Sequence, residues 1–265
     1  MDSWQLDEIL WRHIGSLPYF RGFLRAVEDR FYQEIPLSPP VLDLGSGDGH
    51  FASAAFDHQL DVGLDPWVAP TLEARQRGAY RMLVLGAGGR IPFKDGSFAT
   101  VTSTSVLEHI PDLAPVLSEV ARVLRPGGRF VFCVPNHRFP ESLWGRKALT
   151  RIGLPRLGEA YSRWFNRIAR HAHTDSPVVW EGRLAEAGFD LLETWDYFPP
   201  KALTILEWGH PLGLPALLWK KVLGRWVLVP ARWNLAIPWR LTRPFMDDPR
   251  SAEGVCSFFF ARRRP

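Results

Sequence analysis

Between residues 41 and 135 the chain repeats one unit, a short β-rich run followed by a turn or a helical segment. The runs are VLDLG (41–45), DVGLD (61–65), RMLVL (81–85), FATVTS (98–103) and RFVFCVP (129–135). Such alternation predicts an α/β fold, a mostly parallel sheet with helices on both faces. The clearest helix follows the fourth run, where Leu113, Val116, Leu117, Val120, Val123 and Leu124 form one stripe before Pro126-Gly127-Gly128 ends it. Further on, Ser176-Pro177 reads as an N-cap with proline at the first helical position, opening a helix that runs to Gly188. FDLLETWDYF (189–198) then reads as a sixth strand and VCSFFFARR (255–263) as a last one, which brings the sheet to about seven.

Upstream of the sheet, Phe20, Phe23, Leu24, Val27 and Phe31 recur at helical spacing, which makes residues 1–37 an N-terminal helical extension whose stripe serves packing. The remaining 38–265 read as one domain interrupted at 136–174 and 198–253, intervals too long for ordinary loops. If the sixth strand is parallel to the first five and the seventh runs antiparallel, both insertions, expected to be helical, leave and re-enter at the carboxyl edge of the sheet, where open α/β sheets bind ligands.

A chain of 265 residues with 46% hydrophobic and 23% charged residues fits one large globular domain. Its two cysteines, Cys133 and Cys256, lie in apolar β-like runs and read as buried free thiols. The opening MDSWQLDEIL is acidic where a secretory signal is basic, and no apolar stretch reaches about 18 residues, so a cytoplasmic location is expected.

The stretch VLDLGSGDGH sets Gly45, Gly47 and Gly49 at the turn from a strand into a helix, where absent side chains let backbone amides approach a ligand. A dinucleotide fingerprint would need glycine at position 50, which is His50, and Asp48 would repel a pyrophosphate. Asp43 adds to that preference for a ligand without phosphate. Asp65, closing the second strand, is placed to accept hydrogen bonds from ribose hydroxyls, although a strand-end Asp also caps helices.

Together with GLDP (63–66), IPFKDGSFATVTSTSVLEHI (91–110) and EVARVLRPGGRFVFCVPN (119–136), this loop resembles the type 11 group of class I S-adenosylmethionine (SAM) dependent methyltransferases over roughly residues 38–135. The resemblance implies a Rossmann-like methyltransferase sheet with SAM as cofactor. It implies that Asp43, Gly45, Ser46, Gly47 and Gly49 surround the methionine portion, that Asp65 and Pro66 meet the ribose and adenine edge, and that Gly86, Ala87 and Gly88 lie beside the adenine. Ala87 stands where the family usually carries Asp, and Ala99 where an acidic residue is common. Ser103, Thr104 and Ser105 are candidate pocket linings, or hydroxyls that satisfy backbone groups.

Methyl transfer from a sulfonium is an in-line displacement that positioning and water exclusion can drive, with a base needed when the acceptor is a hydroxyl. Histidine suits that role. His109, in LEHI beyond the fourth strand, is a candidate base, with helix capping and substrate packing as alternatives; His171 and His173, in ARHAHTDS, are candidates from the first insertion. No metal site is expected, since only Asp175 accompanies the latter pair.

Charge is segregated. Residues 136–174 carry eight Arg/Lys against two Asp/Glu, and 198–253 carry eight against four, so the rest of the chain is net −6 although the whole is +4. Such asymmetry favours an anionic partner at the insertions. Trp208, Trp219, Trp226, Trp233 and Trp239 interleave there with basic and aliphatic residues, a pattern suited to an anionic membrane surface at the inner face or to a packed substrate lid. Nucleic acid is disfavoured because no recognisable binding module accompanies the rings. The expected function is transfer of a methyl group from SAM to a hydrophobic or anionic small molecule, including lipid-linked ones; the alternative is a catalytically inactive SAM-fold binding module at a membrane.

Overall fold

A computed structural model describes residues 1–265, the side chain of Leu214 excepted. Seven strands, β1 (Val41–Leu44), β2 (Leu60–Asp65), β3 (Tyr80–Leu85), β4 (Phe98–Thr104), β5 (Leu124–Pro135), β6 (Phe189–Tyr197) and β7 (Cys256–Arg263), form one sheet in the order β3-β2-β1-β4-β5-β7-β6. The first five pair in parallel, whereas β7 lies antiparallel to both β5 and β6, which leaves β6 parallel to the first five. The alternation of runs predicts this sheet.

Helices α1 (Ser3–Ile14) and α2 (Tyr19–Tyr32) precede it, and α3 (His50–Ala55), α4 (Val68–Arg77) and α5 (Ala114–Val123) cross between parallel strands. Residues 136–174 hold α6 (Arg138–Ser142), α7 (Trp144–Arg151) and α8 (Pro155–Ala169); α9 (Pro177–Glu186) leads into β6; and 198–253 hold α10 (Pro200–Gly209), α11 (Gly213–Leu223) and α12 (Ala236–Thr242).

Side-chain alternation along β5 decides what covers each face. Val131 and Cys133 point toward α1 and α2, where they join Phe23, Phe31 and Phe258. Phe130, Phe132 and Val134 point the opposite way, against Val120 of α5 and Trp180 and Leu184 of α9. Both cysteines are free and buried, as their apolar surroundings predict. The Ser176 hydroxyl accepts from the Val179 amide with Pro177 in the first turn of α9, as the capping signal predicts.

Two local features differ from the sequence reading, while the insertions are helical as expected. Two helices, not one, precede β1, because Leu6, Ile9, Leu10 and Ile14 make α1 a second buried stripe. Its His13 meets Asp29 of α2 at 2.9 Å with both side chains fully buried. Leu124 opens β5 rather than closing α5, pairing with Phe98 before a register shift admits the Pro-Gly-Gly turn into the strand. The intervals after β5 and β6 are mainly helical, and Glu207 of α10 joins them: its buried carboxylate accepts from the Trp144 and Gly145 amides at the start of α7 and from the Tyr161 hydroxyl of α8. Since β5 and β6 both end at the carboxyl edge, both insertions leave the sheet at the edge where the turn after β1 lies.

Phe132 is fully buried, stacked on Phe130 and Phe259 at ring separations of 4.7 Å and 5.1 Å from Trp180. Phe132→Ala is expected to cost about 3–5 kcal/mol of unfolding free energy, read from urea denaturation; a loss well under 1 kcal/mol would mean that this face of the sheet is not close-packed.

Candidate functional site

The turn between β1 and α3 is held by backbone geometry that side chains would obstruct. Gly45 has φ +80°, and a Cβ there would lie 2.4 Å from the Val106 side chain; Gly49 has φ +71°, and a Cβ there would lie 3.0 Å from the Ala74 backbone of α4. The amides of this loop do not point outward as a phosphate cradle. Those of Gly45 and Ser46 donate to the Leu64 carbonyl at 2.8 and 3.1 Å, that of Gly47 to Asp65 Oδ2 at 2.9 Å, and that of His50 to Asp48 Oδ1 at 3.1 Å. With its donors so committed, the loop lacks the free amides that a pyrophosphate would need. The Ser46 hydroxyl is buried without a protein partner, and Gly47 presents open space, a fit to a ligand lying along the turn.

Asp65 is 6% exposed and also accepts from the Trp67 amide at 2.9 Å, so one carboxylate clamps the loops after β1 and β2. Asp43 is buried on β1, where burial raises its carboxyl to about 6 despite hydrogen bonds from the Tyr80 and Thr102 hydroxyls. Asp48 has the opposite tendency: burial opposes its charge, but Arg77 and the His50 amide prevail and hold it below the usual range. These carboxylates suit a cationic ligand rather than an anionic one.

A cavity of about 810 Å³ opens beside this loop. Of the candidate pocket and catalytic residues, Asp43, Gly45, Ser46, Gly47, Asp65, Pro66, Ala87, Gly88, Thr104, Ser105 and His109 line it. Five others, Gly86 among them, lie off its wall. Gly49 serves the approach of α3 to α4, and the fully buried Ser103 hydroxyl donates to the Leu44 carbonyl. His171 packs edge-on against Phe139 with its ring lowered to about 4 by burial, and His173 sets its ring between the Pro111 carbonyl and Asp175.

Further lining comes from Arg21 and Arg25 of α2, which the sequence did not mark, and from Lys220 and Trp226 of the second insertion, where a substrate lid is one expectation, so α2 does more than pack. Arg25 donates to Glu28 Oε2 at 2.6 Å and to the Thr104 carbonyl at 3.2 Å. Glu28 Oε1 in turn accepts from the hydroxyls of Ser105 and Tyr197 at 2.6 and 3.1 Å. This node holds Ser105 at φ +50°, a conformation that side-chain-bearing residues rarely adopt. Burial works against the charge of Arg25, but Glu28 overcomes it and keeps the guanidinium ionised.

His109 sits on the turn after β4, and its Nδ1 donates to the Arg170 carbonyl at 3.0 Å, which leaves Nε2 with a free lone pair. Burial lowers its pKa from 6.5, so the ring is neutral at physiological pH. Next to it Glu108 is almost wholly buried with Oε2 unpartnered, and burial pushes its carboxyl up to about 8. The Glu108 carbonyl accepts from the amides of Ala172 and His173, pinning the end of the first insertion to this turn. Among the described residues no cluster of His, Cys, Asp and Glu is arranged to hold a metal ion.

A family model described as "Methyltransferase domain" matches residues 42–132. An uncharacterized methyltransferase of Mycobacterium sp. (strain JLS) is 37% identical over 204 residues, covering 75% of this chain and 69% of that protein. The demethylmenaquinone methyltransferase of Beutenbergia cavernae is 37% identical over 109 residues, 40% of this chain, which spans just 45% of that relative. In fold the chain is similar to the SAM-dependent methyltransferase of Thermotoga maritima described as a possible histamine N-methyltransferase, with a TM-score of 0.58, 16% identity and coverage of 93% and 92% of the two chains.

Glu108 gives the fold a pH dependence. Between the ordinary glutamate value of 4.5 and about 8 the folded chain holds a proton that the unfolded chain has released, so stability falls as pH rises through that window. Glu108→Gln is expected to flatten this slope, measured as urea midpoints at the two ends of the window; an unaltered slope would remove Glu108 as its source.

Proposed function

The chain belongs to the class I SAM-dependent methyltransferases, and we propose that it transfers the methyl group to a hydrophobic, anionic acceptor, quinone-like or otherwise lipid-linked, taken up at a membrane surface on the cytoplasmic side. The mixed lining of the cavity supports this reading: the glycine turn and its carboxylates share it with Arg21, Arg25, Lys220 and Trp226, of which Arg25 pairs with Glu28 and Lys220 with Glu73. The carboxylates suit a cationic cofactor, and Arg21 and Trp226 suit an acceptor with an anionic head and an apolar body. A relative named for demethylmenaquinone, a lipid-like quinone, points to the same chemistry.

In this proposal Asp43, Gly45, Ser46 and Gly47 surround the methionine portion of SAM, Asp65 and Pro66 its ribose, and Ala87, Gly88 and Thr104 complete the pocket. Residues 1–37 form a helical extension that closes one wall, and 136–174 and 198–253 are lids on a domain of 38–265. SAM supplies an electrophilic methyl group whose bond to sulfur breaks as the acceptor attacks. The chain orients the acceptor with Arg21 and Arg25, keeps water out with Trp226 and Val106, and offers His109 Nε2 to take the acceptor's proton.

Asp65→Ala is expected to weaken SAM binding by about 1.5–3 kcal/mol, the worth of a hydrogen bond to a charged group. Titration calorimetry checks this, and unchanged affinity would sink the assignment. His109→Ala is expected to lower kcat by about 10²-fold while SAM affinity holds. Because the ring works unprotonated and its pKa lies below 6.5, wild-type activity should fall on acidification through that region, and the variant should lose this limb of the profile. Labelled methyl transfer into a lipid extract tests the acceptor class; label confined to water-soluble products would overturn it.

A further inference from the structure

The second insertion carries an apolar surface that the fold does not cover. In α11, GLPALLWKKVL, none of the described residues is buried, although most are apolar. Leu218 and Val222, one turn apart on the same side, are 57% and 66% exposed, with Trp219 and Leu223 exposed beside them. Farther along the same insertion Trp233 and Ile237 are 76% and 72% exposed. An exposed apolar concentration of this kind on a water-soluble domain marks a place of contact.

α11 also closes the cavity. Lys220, on the side away from Val222, reaches Glu73 of α4 at 2.6 Å, and both residues line the cavity. Trp226, just beyond the helix, lies under Arg21 at 5.5 Å at the same wall. One helix therefore has a polar reach inward and an apolar face outward.

We propose that α11 and the segment through Ile237 form a docking surface for an anionic lipid bilayer, so that the cavity closed by Lys220 adjoins the lipid phase. The proposal rests on the lipid-like acceptor above and names the element that reaches the lipid. Charge selects the occupant. The two insertions carry a net +10 within a chain of +4, and Lys221, Arg225, Arg232 and Arg240 punctuate the apolar residues of this one. Two copies meeting through such a face would repel, whereas anionic headgroups neutralise it while the rings and aliphatic chains settle at interface depth. Among the described residues no helix is long and apolar enough to cross a membrane, so the contact is with a surface.

The test is cosedimentation of the full chain with phosphatidylcholine vesicles and with vesicles containing phosphatidylglycerol, for wild type and L218D/V222D. Both substituted side chains are exposed and outside the cavity, and calorimetric SAM affinity verifies that the variant is folded. Wild type is expected to partition onto the phosphatidylglycerol vesicles at least roughly tenfold more strongly than onto neutral ones, less so as salt is raised, and the variant to lose about tenfold or more. No binding to either vesicle, equal binding to both, or a variant that binds as wild type does would overturn the proposal. So would a concentration-dependent dimer that L218D/V222D dissolves, which would assign the face to a second copy. Failure on vesicles leaves SAM-dependent transfer standing, and transfer confined to water-soluble acceptors leaves vesicle partition standing, so the two readings fail separately.

Discussion

Parallel strands cannot be joined by tight turns, so each of β1 to β5 is followed by a connection that begins at the same edge of the sheet. That polarity gathers the glycine turn after β1, Asp65 at the end of β2, Ala87 and Gly88 after β3 and His109 after β4 around one cavity. Because β7 is reversed, β6 also ends there, and the second insertion departs from and returns to the same edge. That insertion reaches the cavity through Lys220 and Trp226, while Glu207 ties it to α7 and α8 of the first.

Within the cavity the electrostatics are divided. On the sheet side, Asp65 clamps two loops by accepting from the Gly47 and Trp67 amides, and the glycine turn spends its donors on Leu64, Asp65 and Asp48. On the side of α2, Arg25 and Glu28 tie the N-terminal helices to Thr104, Ser105 and Tyr197. The first arrangement disfavours phosphate, and in the second Glu28 offsets the charge of Arg25 while fixing the guanidinium at the cavity wall.

Much of the sheet was legible because its signals are local. The period-2 runs, the stripe of α5 and the Ser176-Pro177 cap each depend on residues within a few positions of one another, and the strand ends follow within a few residues. Leu124 was misassigned because a leucine continues a helical stripe as readily as it opens a strand, and the choice fell to pairing with Phe98. Helix α1 carries an equally regular stripe at Leu6, Ile9, Leu10 and Ile14, a signal that periodicity alone suffices to find. The histidines divide by contact: His109 reaches the cavity, while His171 and His173 pack against Phe139 and Pro111.

The sequence by itself determined the strands and the glycine turn with its carboxylates, since these follow from side-chain periodicity and from backbone conformations that only glycine adopts at low cost. The tertiary structure alone decided that Arg21 and Arg25, some twenty residues before the turn, would line the same cavity, and which residues of the second insertion, Lys220 and Trp226, would reach it. It also left Glu108 buried with an unpartnered oxygen. Such outcomes depend on which helix packs on which face, and that is set by the summed burial of distant apolar residues rather than by any local pattern.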